Sequence, residues 1–431
     1  MGVLRSGSPG PLHGLRIAVD ATSLGGGWSG TERAIYELMW AMAAARPDQA
    51  FSILVGPHGA PVLAELVDAF DQVTLDIVGD RSADTVWRYD LVLRGNQFFV
   101  RTDLDWLTRI STAFAIRFLD FITYERPSYA DSPEMFEEVR AIVDDSLRRT
   151  AGVIWVSHAT GRYARALGVD VAAPVQAVVY EGLDHEDRPV RSERPAALPD
   201  DLPYLLQLGN AFEHKNRLFS MRIAGRLRAA GWPGRLVLAG AYPTWGGSTD
   251  AEQALRDSDP DVDAAVVDVG HVSEEERAWL IDNAVLGLFP SGIEGFGLPP
   301  FEFARRGVPT LSSRCFSVGE LQPPDIPHLG AVDDLDAAVA AVLPLLDDAA
   351  ERARIAARID EVGRFLTWDR SARGTWAVLD ATAAARWPNR ARVNGLAELW
   401  SSLPARSLVV PAGSRRQQAA RCAVERMRST R

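Results

Sequence analysis

Cysteine is nearly absent from this 431-residue chain: only Cys315 and Cys422 occur. Two cysteines this far apart form no disulfide framework and no zinc-ligand spacing. No apolar run reaches the length needed to cross a bilayer. The first residues, Met1 to His13, are rich in Gly, Pro and Ser and lack the apolar core of a secretion signal. Positive charge is in deficit, with a formal net charge of -11, which argues against a general nucleic-acid binder. A reducing, cytoplasmic compartment is the expectation.

What is present is apolar material for real cores. Hydrophobic residues make up 47% of the chain, enough for two or three packed domains at this length. Short β-rich runs alternate with helical patterns. Leu15–Asp20 reads as a buried strand, followed by a glycine loop (Gly25, Gly26, Gly27, Gly30). An amphipathic helix from about Thr31 then places Ile35, Leu38, Met39 and Met42 on one face. Further strands are predicted at Phe51–Val55, Val73–Val78, Ala113–Phe118, Val153–Ser157 and Gln176–Tyr180. The charged, proline-bearing stretch Asp184–Pro203 reads as a linker. Beyond it the pattern restarts, with strands at Tyr204–Leu208, Arg235–Ala239, Ala265–Val269, Ala284–Phe289 and Val308–Ser312. Strands alternating with helices imply parallel sheets, whose ligands bind at the carboxyl ends of the strands. The fold class expected is α/β, two doubly wound domains facing a central cleft.

The expected divisions are an N-terminal domain over 1–184, a linker over 185–203, a second domain over 204–365, a returning helix over 366–385 and a tail over 386–431. That tail holds ten arginines against Glu398 and Glu425. It reads as solvated, with weak peripheral contact to an anionic membrane surface as the alternative. Loops at Ser82–Asp105 and Phe121–Glu138 are expected to choose a ligand of the first domain. The acidic run Asp257–Asp263 reads as a solvated loop rather than a metal motif.

The chemistry concentrates in Phe289–Pro309, FPSGIEGFGLPPFEFARRGVP. A strand ends at Phe289, a glycine loop follows, and Pro299 and Pro300 open a helix in which proline's missing amide costs nothing. Gly307 closes that helix. Glu294 in the loop and Glu302 in the first helical turn are placed to face one cleft. This stretch resembles the Glu-x7-Glu signature of family 4 retaining glycosyltransferases, in its spacing and in its Gly-Phe-Gly-Leu-Pro and Gly-Val-Pro context. The likeness runs from about Leu15 to Leu379 and implies a GT-B fold, with two Rossmann-like domains.

By that resemblance Glu302 holds the ribose hydroxyls of a nucleotide sugar, and Glu294 contacts the donor sugar. The backbone from Gly295 through Phe296 and Gly297 to Leu298 lies beside sugar and phosphates. Gly209-Asn210-Ala211-Phe212-Glu213-His214-Lys215-Asn216 resembles the family's basic segment, with Lys215 on the diphosphate and Gly209, Asn210 and His214 beside it. A cation there would offset charge developing on the leaving nucleotide. Asn210 stands where many relatives have arginine. The loop at Gly26 and Gly27 would approach the donor, as would Ser157 at a strand end. Asp120 matches the aspartate of the family's His-Asp strand end, but Leu119 occupies the histidine position. The segment Tyr180–Asp184 would form a hinge, and Ser312–Glu320 would cradle the nucleotide with backbone amides.

The resemblance thus implies a retaining enzyme that moves a hexose from a nucleotide diphosphate sugar to a glycan, lipid-linked or small-molecule acceptor. No metal is expected, and the sugar nucleotide is a co-substrate rather than a cofactor. The loss of histidine at Leu119 motivates the alternative, a non-catalytic nucleotide-sugar-binding subunit. A dehydrogenase is a poorer reading, because Gly-x-Gly-x-x-Gly is absent after the first strand.

Overall fold

The computed structural model describes residues 11–25, 29–79, 81, 88–199 and 201–387. Two sheets, every strand pairing parallel, carry the chain. The first comprises β1 (Ile17–Asp20), β2 (Phe51–Val55), β3 (Val73–Ile77), β4 (Tyr89–Arg94), β5 (Ser111–Phe118), β6 (Gly152–Trp155) and β7 (Val175–Val178). Its spatial order is β3-β2-β1-β4-β5-β6-β7. The second comprises β8 (Tyr204–Leu208), β9 (Arg235–Ala239), β10 (Val266–Gly270), β11 (Leu286–Phe289) and β12 (Thr310–Ser312), in the order β10-β9-β8-β11-β12.

The central strands are short and mostly apolar because helices cover both faces of the sheet. Ile17, Ala18, Val19 and even Asp20 are buried. The helix Gly30–Ala45 starts at Ser29, whose hydroxyl accepts from the Glu32 amide while the Glu32 carboxylate returns to the Ser29 amide. The predicted stripe Ile35, Leu38, Met39 and Met42 is buried.

Three expectations need correction. The span read as the loop Ser82–Asp105 contains β4 and the start of the helix Arg101–Ile110. β4 lies in the middle of the sheet, between β1 and β5. The acidic run Asp257–Asp263 is helical: Asp259 caps the helix Pro260–Ala265, whose Val262 and Ala265 are buried. The stretch beginning at Asp184 is no free linker at its start. Asp184–Asp187 forms a 3-10 turn with His185 and Glu186 buried, and Asp184 accepts from the Trp368 amide at 2.7 Å.

The last described helix, Trp368–Arg386, returns to the first lobe. Its Trp376, Val378, Leu379 and Ala383 share one core with Ile17, Met39 and Phe51. Trp376 is fully buried, meets Phe51 edge-on at 5.8 Å and donates to the Met42 carbonyl at 3.0 Å. Gly182 permits this return, since a Cβ there would lie 2.3 Å from the Trp368 amide nitrogen. The arginine-rich tail over 386–431 lies outside the described residues apart from Arg386 and Trp387.

Trp376→Ala should cost about 3–5 kcal/mol of stability, by lost burial and the cavity left behind. Urea denaturation monitored by far-UV circular dichroism checks this, and a loss below about 1 kcal/mol would show that the helix is not docked as described.

Candidate functional site

In the second sheet the strand order reverses between β8 and β11, which are neighbours although distant in sequence. Loops leaving the carboxyl ends of such a pair diverge and open a crevice. The loop after β8 carries Lys215 and the loop after β11 carries Glu294. Their side chains meet, with Lys215 Nζ 2.6 Å from Glu294 Oε1 and only 19% and 10% of those side chains exposed.

Local structure fixes both ends of this pair. Gly209 adopts φ +138, a conformation side chains rarely tolerate, and the Lys215 stem passes over it. The Gln207 side chain donates to the Lys215 carbonyl at 2.8 Å, and the ammonium stands 5.5 Å from the centre of the Phe289 ring. The Gly292 amide donates to the His214 carbonyl at 2.9 Å, so the two loops are tied by backbone. Ser317 donates to the carbonyls of Glu294 and Phe296 at 3.3 and 2.6 Å.

The first lobe closes over this point. A Cβ on Gly295 would come within 2.1 Å of the Leu119 carbonyl and 3.4 Å of the Asp120 Cβ, so only glycine fits. Ser157 caps the helix His158–Leu167 and donates to the Gly295 carbonyl at 2.8 Å. Asp120 is partly buried in this seam, accepting from the Ile122 amide at 2.9 Å. Burial lifts its carboxyl to about 6, opposed by that amide bond, with Glu294 adding to the rise and Lys215 countering it. Lys215, Glu294 and Asp120 therefore form one electrostatic cluster drawn from both lobes.

Glu302 belongs to a different group. Its carboxylate lies 3.4 Å from Arg277 Nη1 and 3.7 Å from His185 Nε2. Arg277 also binds Glu186, and Trp368 Nε1 donates to His185 Nδ1 at 3.1 Å. Burial works against the Glu302 charge, but the His185 bond and the Arg277 guanidinium hold its carboxyl below the usual range. The same desolvation, with Glu302 nearby, pushes Glu186 up. His185, Glu186 and Glu302 offer ligand atoms within 4.8 Å of one another, yet the Arg277 cation already occupies the space between the two carboxylates. The two glutamates of the Glu-x7-Glu spacing thus have separate partners: a lysine for one, and an arginine with a hinge histidine for the other.

The remaining predicted residues are mostly engaged within the protein. Asn210 accepts from the Ala241 amide at 3.0 Å and joins two loops. His214 is buried, and its Nδ1 lies 2.5 Å from the Tyr129 hydroxyl. Burial, with Lys215 and Arg126 close by, lowers its pKa to about 2, so its ring is neutral and adds no cation to the site. Phe296 is a core residue against Phe301 and Tyr180. Gly297 takes φ +84, and Leu298 precedes the helix Pro299–Arg305. The Leu119 side chain packs on the second lobe's core. Gly26 and Gly27 lie outside the described residues, although the adjacent Gly25 amide donates to Glu32 at 2.9 Å. In the segment Ser312–Glu320, Glu320 reaches the first lobe, accepting from Tyr180 at 2.7 Å and the His158 amide at 3.1 Å.

Arg277, His185, Glu186 and Tyr129 were not anticipated. Their partners lie far away in sequence, so no local pattern marks them. Lys215 had a signal that spacing does not convey. It is the sole lysine of the chain, amid 45 arginines. A compact, strongly hydrated ammonium thus occurs at one position only, and it differs from a planar guanidinium in shape and hydration.

The Asp120 carboxyl has a pH signature. Its folded-state value lies above the unfolded value of about 3.9, so the folded protein holds this proton more tightly. The resulting stability is complete below about pH 4 and is lost as pH rises through about 6. Asp120→Asn should therefore gain stability relative to the parent between about pH 4 and pH 7. Urea midpoints for both proteins across that range check it, and a pH-independent difference would contradict it.

No family model matches the sequence, and no curated protein matches it. Solved structures resemble it in fold. A sucrose-phosphate synthase from Thermosynechococcus elongatus superposes with a TM-score of 0.63 at 18% identity, covering 86% of this chain and 100% of that one. HepE from Anabaena, in complex with UDP, gives 0.60 at 14% identity over 85% and 100%. A glycosyltransferase from Rickettsia africae gives 0.56 at 12% identity over 85% and 98%. With its two parallel sheets of seven and five strands, the chain has the GT-B fold of two Rossmann-like domains facing a cleft.

Proposed function

We propose that this protein is a glycosyltransferase that takes a hexose from a nucleoside diphosphate sugar and places it on a hydroxyl of a glycan, lipid-linked or small-molecule acceptor. The observation that carries the reading is the Lys215–Glu294 pair at the switch point of the second sheet, with Asp120 facing it from the first lobe. HepE, which shares the fold, binds UDP and UDP-glucose in solved complexes.

Cleaving a sugar–diphosphate bond leaves negative charge on the departing phosphate. A preorganised cation in a partly dry site stabilises that charge more than the ground state. Lys215 supplies it, exchanging Glu294 for the diphosphate. Glu294 and Asp120 then face the sugar and accept hydrogen bonds from its hydroxyls. Glu302, held ionised by Arg277 and His185, has the acceptor character that ribose hydroxyls require. The acceptor hydroxyl attacks from the face the diphosphate leaves and passes its proton to the departing phosphate, so configuration is retained. Two lobes in contact exclude the water that would hydrolyse the donor. Arg277 bridges the acidic pair beside His185, so no metal is assigned to those two carboxylates in this reading. No described helix is long and apolar enough to cross a membrane.

Release of nucleoside diphosphate from a panel of nucleotide sugars and acceptors tests the reading. Lys215→Ala and Glu294→Gln should each lower turnover about 10²–10³-fold, and Lys215→Arg should not restore it. Undiminished turnover in the first two variants would refute the site.

A further inference from the structure

The first lobe grips the Lys215 turn chiefly through Tyr129. Tyr129 sits in the short turn Pro127–Tyr129 of the first lobe. Its ring stacks on Phe212 of the second lobe at 5.6 Å between centroids and 19° between planes. Gly246 also lies against the ring, where a Cβ would fall 2.9 Å from three ring carbons. Trp245 closes the edge at 5.7 Å. The Tyr129 hydroxyl lies 2.5 Å from His214 Nδ1 and also accepts from the His214 amide at 3.3 Å. Beside it, the Ser128 hydroxyl donates to Glu213 at 2.6 Å.

These contacts surround the residues just before Lys215. The His214 carbonyl in turn accepts from Gly292, two residues before Glu294. One first-lobe hydroxyl is thus joined through His214 to both loops that carry the ion pair. Neither Tyr129 nor His214 touches Lys215 Nζ, so their effect is on geometry. With its ring neutral, His214 presents one nitrogen as acceptor, which suits a phenol donor and fixes the orientation of the turn.

We infer that Tyr129 is a positioning residue, which sets Lys215 and Glu294 in their working geometry only while the two lobes are together. The inference rests on the glycosyl-transfer reading for its kinetic consequence. A donor held by the second lobe alone would bind without Tyr129, whereas reaction would require it. The contribution therefore falls on turnover and not on donor affinity, which a purely structural contact would not achieve.

Tyr129→Phe keeps the stacked ring and removes the hydroxyl. It should lower kcat roughly 10- to 100-fold, while the dissociation constant for the nucleotide sugar stays within about twofold. The melting temperature should stay within about 2 °C of the parent. Ser128→Ala, which cuts the exposed half of the same grip, should lower kcat in smaller measure without risk to folding. Hydrogen exchange at Phe212–Asn216 should rise in Tyr129→Phe whether or not a sugar donor has been found, so this arm survives failure of the functional reading. An unchanged kcat, a fall in affinity equal to the fall in kcat, or unchanged exchange at that turn would each overturn the inference.

Discussion

An ammonium and a carboxylate held together in a half-dry seam is the constraint around which this molecule is arranged. Lys215 and Glu294 are each mostly withdrawn from solvent. Leaving one such charge unpaired is far more costly than keeping the pair. Both loops are accordingly tied down: Gln207 and Gly209 beneath the lysine, Ser317 and Gly292 on the glutamate side. A diphosphate is the kind of group that can replace the carboxylate, since it offers the lysine equal or greater negative charge. Under the proposed reading, the lysine exchanges the carboxylate for that anionic ligand.

The seam is crossed by polar groups as well as by packing. Glu320 joins the second lobe to His158 and Tyr180, and Arg33 of the first lobe pairs with Glu274 at 3.0 Å. Arg117 and Glu181, both buried, pair at the base of the hinge, where burial pushes the Glu181 carboxyl up and Arg117 opposes the rise. Exposed ion pairs contribute little to stability, but desolvated ones specify a single arrangement when every partner is present. Near the site the lobes meet through Glu320, whose side chain is almost fully buried. They are also joined by the returning helix on the far side, where Trp376 supplies apolar burial instead.

Much of this was legible in the sequence wherever a continuous apolar run met a glycine or a cap. β2, β8 and β9 fall at the predicted bounds, because their runs end abruptly at polar or glycine residues. β4 was not legible. Asp90 and Arg94 interrupt its pattern, and each is explained only by a distant partner: Asp90 takes the Arg16 amide at 2.8 Å, and Arg94 pairs with buried Asp20 at 2.7 Å. The acidic run at Asp257–Asp263 hid a helix start, with Asp259 as cap and Pro260 in the first turn, beneath its charge. At the site, the glycine loop and Lys215 were readable by motif. The partners of Glu302 were not, since His185, Arg277 and Glu302 converge from three separate elements.

The single lysine makes the central claim open to direct observation. Reductive methylation with 13C-formaldehyde preserves the charge and gives one dimethyl-lysine signal, apart from that of the amino terminus. If Lys215 grips the diphosphate, that signal shifts on titration with UDP or another nucleoside diphosphate that binds, and saturates at the dissociation constant found by calorimetry. A nucleotide that binds by calorimetry while the lysine signal stays in place would contradict the account.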